Sequence, residues 1–162
     1  MEPKIVEFPG KKLVGMHLTM SLANNRTFEL WSKFKKKADQ IKDRVSSDFI
    51  SMQLYDTAYF ASFNPAAIFE KWATVEVANH DNIPAEMYPF VLPKGLYAVF
   101  YYKGSSTDNS IFQHIFTEWL PNSGYQLDNR PHFEVLGSRY KNNDPNSEEE
   151  IWIPIQTNPT LK

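Results

Sequence analysis

The sequence predicts an α+β fold: duplicated βαββ halves that form one largely antiparallel sheet, with two helices on one face and a groove between the halves. Three observations carry this reading. Two stretches, "FPGKKLVGMHLTMS" from Phe8 and "LPKGLYAVFYYKGS" from Leu92, both read as strands opened by a proline-containing turn, and a shift of 84 residues superposes them. A segment with helical periodicity follows each strand. Two further apolar strands follow each helical segment.

The elements are justified in order. Val14, Met16, Leu18 and Met20 alternate with Gly15, His17 and Thr19, the period of a strand. Under the shift, Pro9 meets Pro93, Met16 meets Phe100 and Ser21 meets Ser105. In "NNRTFELWSKFKKKADQIKDR", Leu30, Trp31, Phe34, Ala38 and Ile41 recur at helical spacing, which predicts a helix over 26–43 with "KFKKK" as its solvated face. Ile111, Phe112, Ile115, Phe116 and Trp119 predict the second helix over 108–120. Asp108 or Ser106 is its N-cap, and Pro121 with Gly124 ends it. "DFISMQLYD" then aligns with "HFEVLGSRY", so that Phe49 meets Phe133. The closing strands are "WATVEV" and "EIWIPI", and two registers remain open for them. One aligns Glu70 and Trp72 with Glu150 and Trp152. The other aligns "VEV" with "IPI" and sets Glu76 opposite Pro154. "ANHDNIPAEMYPF" reads as a linker within one fold, and "KNNDPNSEEE" as a turn-rich loop. The chain is expected to be a single domain over 1–162, with pseudo-repeats over about 1–79 and 88–157.

Composition narrows the function. Of 162 residues, 42% are hydrophobic and 22% charged, and the net charge is -2. Such a balance argues against a broad phosphate-binding surface, and no helix-turn-helix pattern is present, so direct nucleic-acid binding is not expected. The absence of cysteine excludes disulfides, thiolate nucleophiles and zinc–thiolate centres. The polar start and the lack of an apolar run near 18 residues predict a soluble cytoplasmic protein that neither enters nor spans a membrane. The four histidines are scattered, with no metal-ligand spacing, and the common nucleotide-binding and hydrolase motifs are absent. No metal and no cofactor are expected. Aromatic residues are abundant, at 15%; most belong in a core, and some could line a pocket.

The stretch "SEEEIWIPIQ" offers a candidate site. Alternation places Ile151, Ile153 and Ile155 on one face, towards the helices. Glu150 and Trp152 share the other face, a carboxylate beside an indole. In an aromatic-lined cleft such a pair is a counter-charge for a cation. Glu149 falls on the isoleucine face and is expected to be solvated, with Glu148 in the loop. The sheet face away from the helices and the cleft between the halves are the surfaces left for a ligand. Met16 and Phe100, which meet under the repeat, are expected to line the site with Trp72 and Tyr102.

The stretches "LVGMHLTMS", "ELWSKFKKKADQI", "WATVEV", "EWLPNSGYQLDNRPHFEVL" and "EEEIWIPI", taken together in this order, resemble the GyrI-like small-molecule-binding domain. That fold also forms the effector-binding half of AraC-type and BmrR-type multidrug-sensing transcription regulators, and is shared with the SOUL haem-binding family. The resemblance implies binding of amphipathic, often cationic, aromatic compounds in the groove between the halves. It matches the family's acidic residue before the last strand to Glu150, the following aromatic to Trp152, and the tryptophan ending the second helix to Trp119. It also matches a Tyr–Phe–Glu pattern to Tyr125, Phe133 and Glu134. Some members are implied to hydrolyse cyclopropane-bearing DNA alkylators. That alternative would make Glu150 and Tyr125 catalytic, with Tyr102 or Tyr125 as proton donor. A third alternative is a protein-interaction module of the gyrase-inhibitor type, whose partner the sequence does not reveal.

Overall fold

The computed structural model describes residues 1–159. Nine strands form a single antiparallel system, and the fold reading is borne out in its sheet and helices. The first half contains β1 (Lys4–Phe8), β2 (Lys11–Ser21), helix α1 (Thr27–Lys35), β3 (Phe49–Leu54) and β4 (Ile68–Glu76). The second contains β5 (Tyr88–Leu92), β6 (Gly95–Lys103), the helical segment α2, β7 (Tyr125–Leu127), β8 (His132–Leu136) and β9 (Glu148–Thr157). The strand order is β1-β6-β9-β8-β3-β4-β2-β5, with β7 pairing β9 off this path. The pseudo-twofold axis therefore runs between β3 and β8.

The first half carries one strand more than expected, β1, and the second carries two, β5 and the short β7. β1 and β5 lead into β2 and β6 through the Pro9–Gly10 and Pro93–Lys94 turns, but neither pairs with its neighbour in sequence. β1 adds to β6 of the other half, from Lys4↔Val99 to Phe8↔Gly95. β5 adds to β2, from Lys11↔Leu92 to Gly15↔Tyr88. Part of the expected linker, from Tyr88 onward, is thus a strand. Gly10, at φ +92°, supplies the left-handed turn that sends the chain across. Gly15 answers a different need: a Cβ there would overlap the carbonyl oxygen of Ala73 on the paired strand.

The ladders settle the open register. Val14 pairs with Val75, and Ala98 pairs with Ile153. From 14 to 98 is a step of 84, whereas from 75 to 153 is a step of 78. "VEV" is therefore equivalent to "IPI", Glu76 to Pro154, and Trp72 to Glu150 rather than to Trp152.

Both helices differ from expectation at their ends. α1 stops at Lys35, and a 3-10 turn at Ala38–Gln40 follows. That turn keeps Ala38 and Ile41 buried while the lysine run stays in water. α2 begins as an α-helix at Ser110–His114, widens into a π-helical turn at Ile115–Trp119 and closes at Leu120–Asn122. Pro121 does not stop it. A proline ring crowds the carbonyl one turn back and offers no N–H, and the wide turn before it opens that space.

Ala73, Ser51, Glu134 and Ile151 lie side by side across β4, β3, β8 and β9, so they share one sheet face. Ala73 belongs to the cluster under α1, with Val14, Met16, Leu30 and Phe34. Ile151 belongs to the cluster under α2, with Phe100, Ile111, Ile115 and Ile153. Both helices therefore cover the same face. The opposite face is closed by a third cluster: Phe8, Leu13, Ile50, Met52, Trp72, Leu92, Tyr97 and Phe133, with Trp152 packed against it. Phe8 touches Phe133 at 5.4 Å between ring centroids, although β6 and β9 separate their strands. A flat sheet would hold them some 14 Å apart, so the sheet is curled and its inner face is core. Of the two surfaces expected for a ligand, this one is filled and the cleft between the halves remains. Each fully buried ring or aliphatic chain there contributes roughly 1.5–3 kcal/mol.

Candidate functional site

The cleft lies between α1 and α2 on the helix-bearing face. Its floor is the helix-facing side of the two central strands. From β3 come Phe49, Ser51 and Gln53; from β8 come His132, Glu134 and Leu136. The pairs Ser51↔Glu134 and Gln53↔His132 lie directly across the ladder. Lys71 flanks the floor from β4, opposite Gln53, and Glu149 flanks it from β9. α1 packs on Phe49 and α2 reaches His132 through Phe116, and the polar groups of the helix-bearing face gather between these contacts.

One end is aromatic. After β3 the chain makes a short 3-10 turn at Tyr59–Ala61. The Phe60 ring lies flat against Phe116 of α2 and against His132 of the floor, each at 5.3 Å. Tyr55 contacts Tyr59 at 4.5 Å, His132 at 4.9 Å and Phe69 at 5.3 Å. At the other end Trp31 of α1 packs edge-on against Phe49, with Lys35 and Arg44 over the Phe49 ring.

The electrostatics follow from burial. Glu134 accepts a hydrogen bond from the Gln53 amide at 3.1 Å. Desolvation pushes its pKa up, opposed by the Lys71 charge and that hydrogen bond. Glu149 is pushed up to about 7, first by burial and then by the charge of Glu134, with Lys71 opposing. Lys71 is pulled down by burial and held up by the two carboxylates. His132 is lowered to about 3 by burial and by Arg130, so its ring is neutral. Tyr55, Tyr59 and Tyr140 are all raised, burial being the largest cause, and stay protonated as donors. The cleft thus holds carboxylates short of partners beside neutral rings, an arrangement that can accept a positive charge.

The three consecutive glutamates go three ways. Glu148 accepts from the Tyr101 hydroxyl and lies 3.6 Å from Arg139. Glu149 points to the cleft side and is half-buried, not solvated, because its strand continues under α2. Glu150 turns to the opposite face and accepts the Trp152 indole N–H at 3.1 Å. A shallow acidic cleft of about 330 Å³ runs along all three, bordered by Asp48, Tyr101 and Arg139.

The other residues singled out from sequence fall into separate surroundings. Glu134 lies in the cleft. Trp72, Phe133 and Trp152 are part of the core on the far face, and Met16 is buried under α1. Phe100 and Tyr102 are buried under α2, with the Tyr102 hydroxyl donating to the Ser105 carbonyl at 2.9 Å. Trp119 packs edge-on against Phe100 at 5.2 Å and stacks with Tyr125 at 6.3 Å. That pair borders a second cavity of about 430 Å³ between the N-terminal segment and the end of α2. Sequence reasoning missed Lys71, Gln53, Tyr55, Phe60 and His132. The signal was present in "FISMQL" and "HFEVL", where the polar residues alternate onto the helix-bearing side. Among the described residues no three of His, Cys, Asp or Glu converge as a metal would need, and no helix is long and apolar enough to cross a membrane.

A curled antiparallel sheet with two helices on one face and a polar-floored, aromatic-walled cleft between them defines a small-molecule-binding domain. The chain belongs to the GyrI-like small-molecule-binding domain family, whose model matches residues 1–156. It is 29% identical over 161 residues to the transcriptional regulator BrlR of Pseudomonas aeruginosa, and spans 56% of that regulator's length and 96% of its own. Among solved structures, SAV2435 bound to tetraphenylphosphonium matches with a TM-score of 0.73 at 17% identity, over 96% of this chain and 94% of that one. The C-terminal domain of EcmrR matches with a TM-score of 0.72 at 12% identity, over 97% and 98%. These two likenesses show the fold.

Proposed function

We propose that the domain binds amphipathic aromatic molecules carrying positive charge, in the cleft between α1 and α2, with Glu134 as the counter-charge. The observation that carries this reading is the state of Glu134: burial raises its pKa, and one amide is its direct side-chain partner. A desolvated carboxylate either keeps a proton or takes a cation. The rings of Tyr55, Tyr59, Phe60 and Phe116 would add roughly 0.5–2 kcal/mol through cation–π contact. The lipophilic cation bound by SAV2435 has the two properties that this cleft matches, charge and ring faces. The likeness to BrlR favours a sensing role, in which ligand occupancy is the signal. Glu150 and Trp152 have no part in this reading, since Trp152 packs against the far-face core and Glu150 accepts its indole N–H.

Calorimetric titration tests it. Tetraphenylphosphonium and the neutral triphenylphosphine oxide are titrated into the wild type and Glu134→Gln. The substitution is expected to weaken the cation about tenfold, some 1.4 kcal/mol, and to leave the oxide and the melting temperature little changed. An equal loss for both compounds, or none for the cation, overturns the assignment.

A further inference from the structure

Lys71 is the charged group of the cleft that this reading leaves unused. It projects from the helix-facing side of β4, in the same row as Gln53 and His132, and Phe69 precedes it on that face. Were it only an internal neutraliser of Glu134, the two would be in contact. They are not: the direct partner of Glu134 is Gln53, at 3.1 Å. Among the described residues, the Lys71 ammonium makes no hydrogen bond or direct ion pair with a side chain. It still senses the electrostatic pull of both Glu134 and Glu149. The cleft floor therefore presents an undocked ammonium and two carboxylates next to the aromatic end built by Tyr55, Phe60, Phe116 and His132.

A guest bearing only positive charge gains from the carboxylates and is repelled by the lysine. A guest that also carries an anionic oxygen satisfies the ammonium with a charge-assisted hydrogen bond. We propose that the cleft selects amphoteric aromatic molecules, in which a cationic nitrogen and an anionic oxygen are carried by one aromatic scaffold, with Lys71 as the residue that reads the anion. This rests on the cleft being the binding site as proposed above. It assigns Lys71 to specificity and Glu134 to charge.

A matched pair of dyes tests it by fluorescence anisotropy. Rhodamine 19 carries a free carboxylate on a cationic ring system, and rhodamine 6G carries the ethyl ester in its place. The wild type is expected to prefer rhodamine 19 by about tenfold. Lys71→Met and Lys71→Gln should weaken rhodamine 19 and tighten rhodamine 6G, each by roughly threefold or more, so that the preference is lost or reversed. A packing defect would move both dyes the same way. Parallel changes in both lysine variants, or a wild type that prefers the ester, overturn the proposal while a cation loss in Glu134→Gln keeps the cleft as the site. If Glu134→Gln leaves both dyes unaffected, the cleft reading falls and this proposal with it.

Discussion

Glu149 makes stability depend on pH in a direction opposite to that of most carboxylates. In the unfolded chain it titrates near 4.5, and in the folded protein burial and the Glu134 charge raise it to about 7. Below pH 4.5 it is protonated in both states and costs nothing. Above pH 7 it is ionised in both, and the folded state bears the full cost of a desolvated anion. Stability is therefore lost as pH rises through this window. The gap between the two values corresponds to roughly 3 kcal/mol, and solvent contact of the half-buried side chain reduces this to about 1–2 kcal/mol. Urea unfolding of the wild type and Glu149→Gln at pH 5 and pH 8 measures the term by difference. Gln does not titrate, so the variant should lose about 1–2 kcal/mol less than the wild type between the two pH values. Glu134 acts in the same direction and keeps some slope in the variant. A saturating cationic guest should flatten the wild-type profile, because it pairs with the ionised form. Parallel profiles for the two proteins would refute the reasoning.

Two further outcomes follow from the packing. Trp152 stacks on Phe133 at 5.1 Å and meets Phe8 and Tyr97 edge-on, so Trp152→Ala should cost about 3–5 kcal/mol in urea unfolding; a loss below 1 kcal/mol would show that the far face is not a tight core. Phe60 is 41% exposed yet lies over the cleft against Phe116 and His132, so Phe60→Ala should cost only about 0.5–1.5 kcal/mol and speed dye association in stopped-flow mixing; unchanged or slower association would mean that the ring does not gate entry.

Much of the architecture was legible because it rests on local periodicity. The alternation in β2 and the i, i+3, i+4 spacing in the helices are enforced by burying one face, and they survive in a single sequence. The exchanged strands β1 and β5 were not legible. "KIVEF" and "YPFVL" are short, and their partners lie in the opposite half. Nothing in a strand's own residues names a partner so far along the chain, from Gly15↔Tyr88 at the near end to Lys4↔Val99 at the far end. The closing register was ambiguous for a related reason: Glu-x-Trp occurs in both halves, but the ladders relate the two copies at positions that differ by two.

That repeated Glu-x-Trp also bears on how the carboxylates are weighed. A tryptophan packed in a core must still satisfy its indole N–H, and the residue two along on the same strand face is the nearest acceptor. Trp72 donates to Glu70 in the first half, and Trp152 to Glu150 in the second. A glutamate at that spacing is therefore already engaged, and its proximity to an aromatic ring marks core satisfaction. The informative sign lies in the central strands. Ile50 and Met52 of β3, like Phe133 of β8, point to the core, which turns Ser51, Gln53, His132 and Glu134 towards the helices. A helix cannot rest on such a row without stranding its polar groups, so the two helices flank it and leave the cleft between them. Glu134 lies on β8, the strand paired with that of Glu150, at a position where no indole claims it.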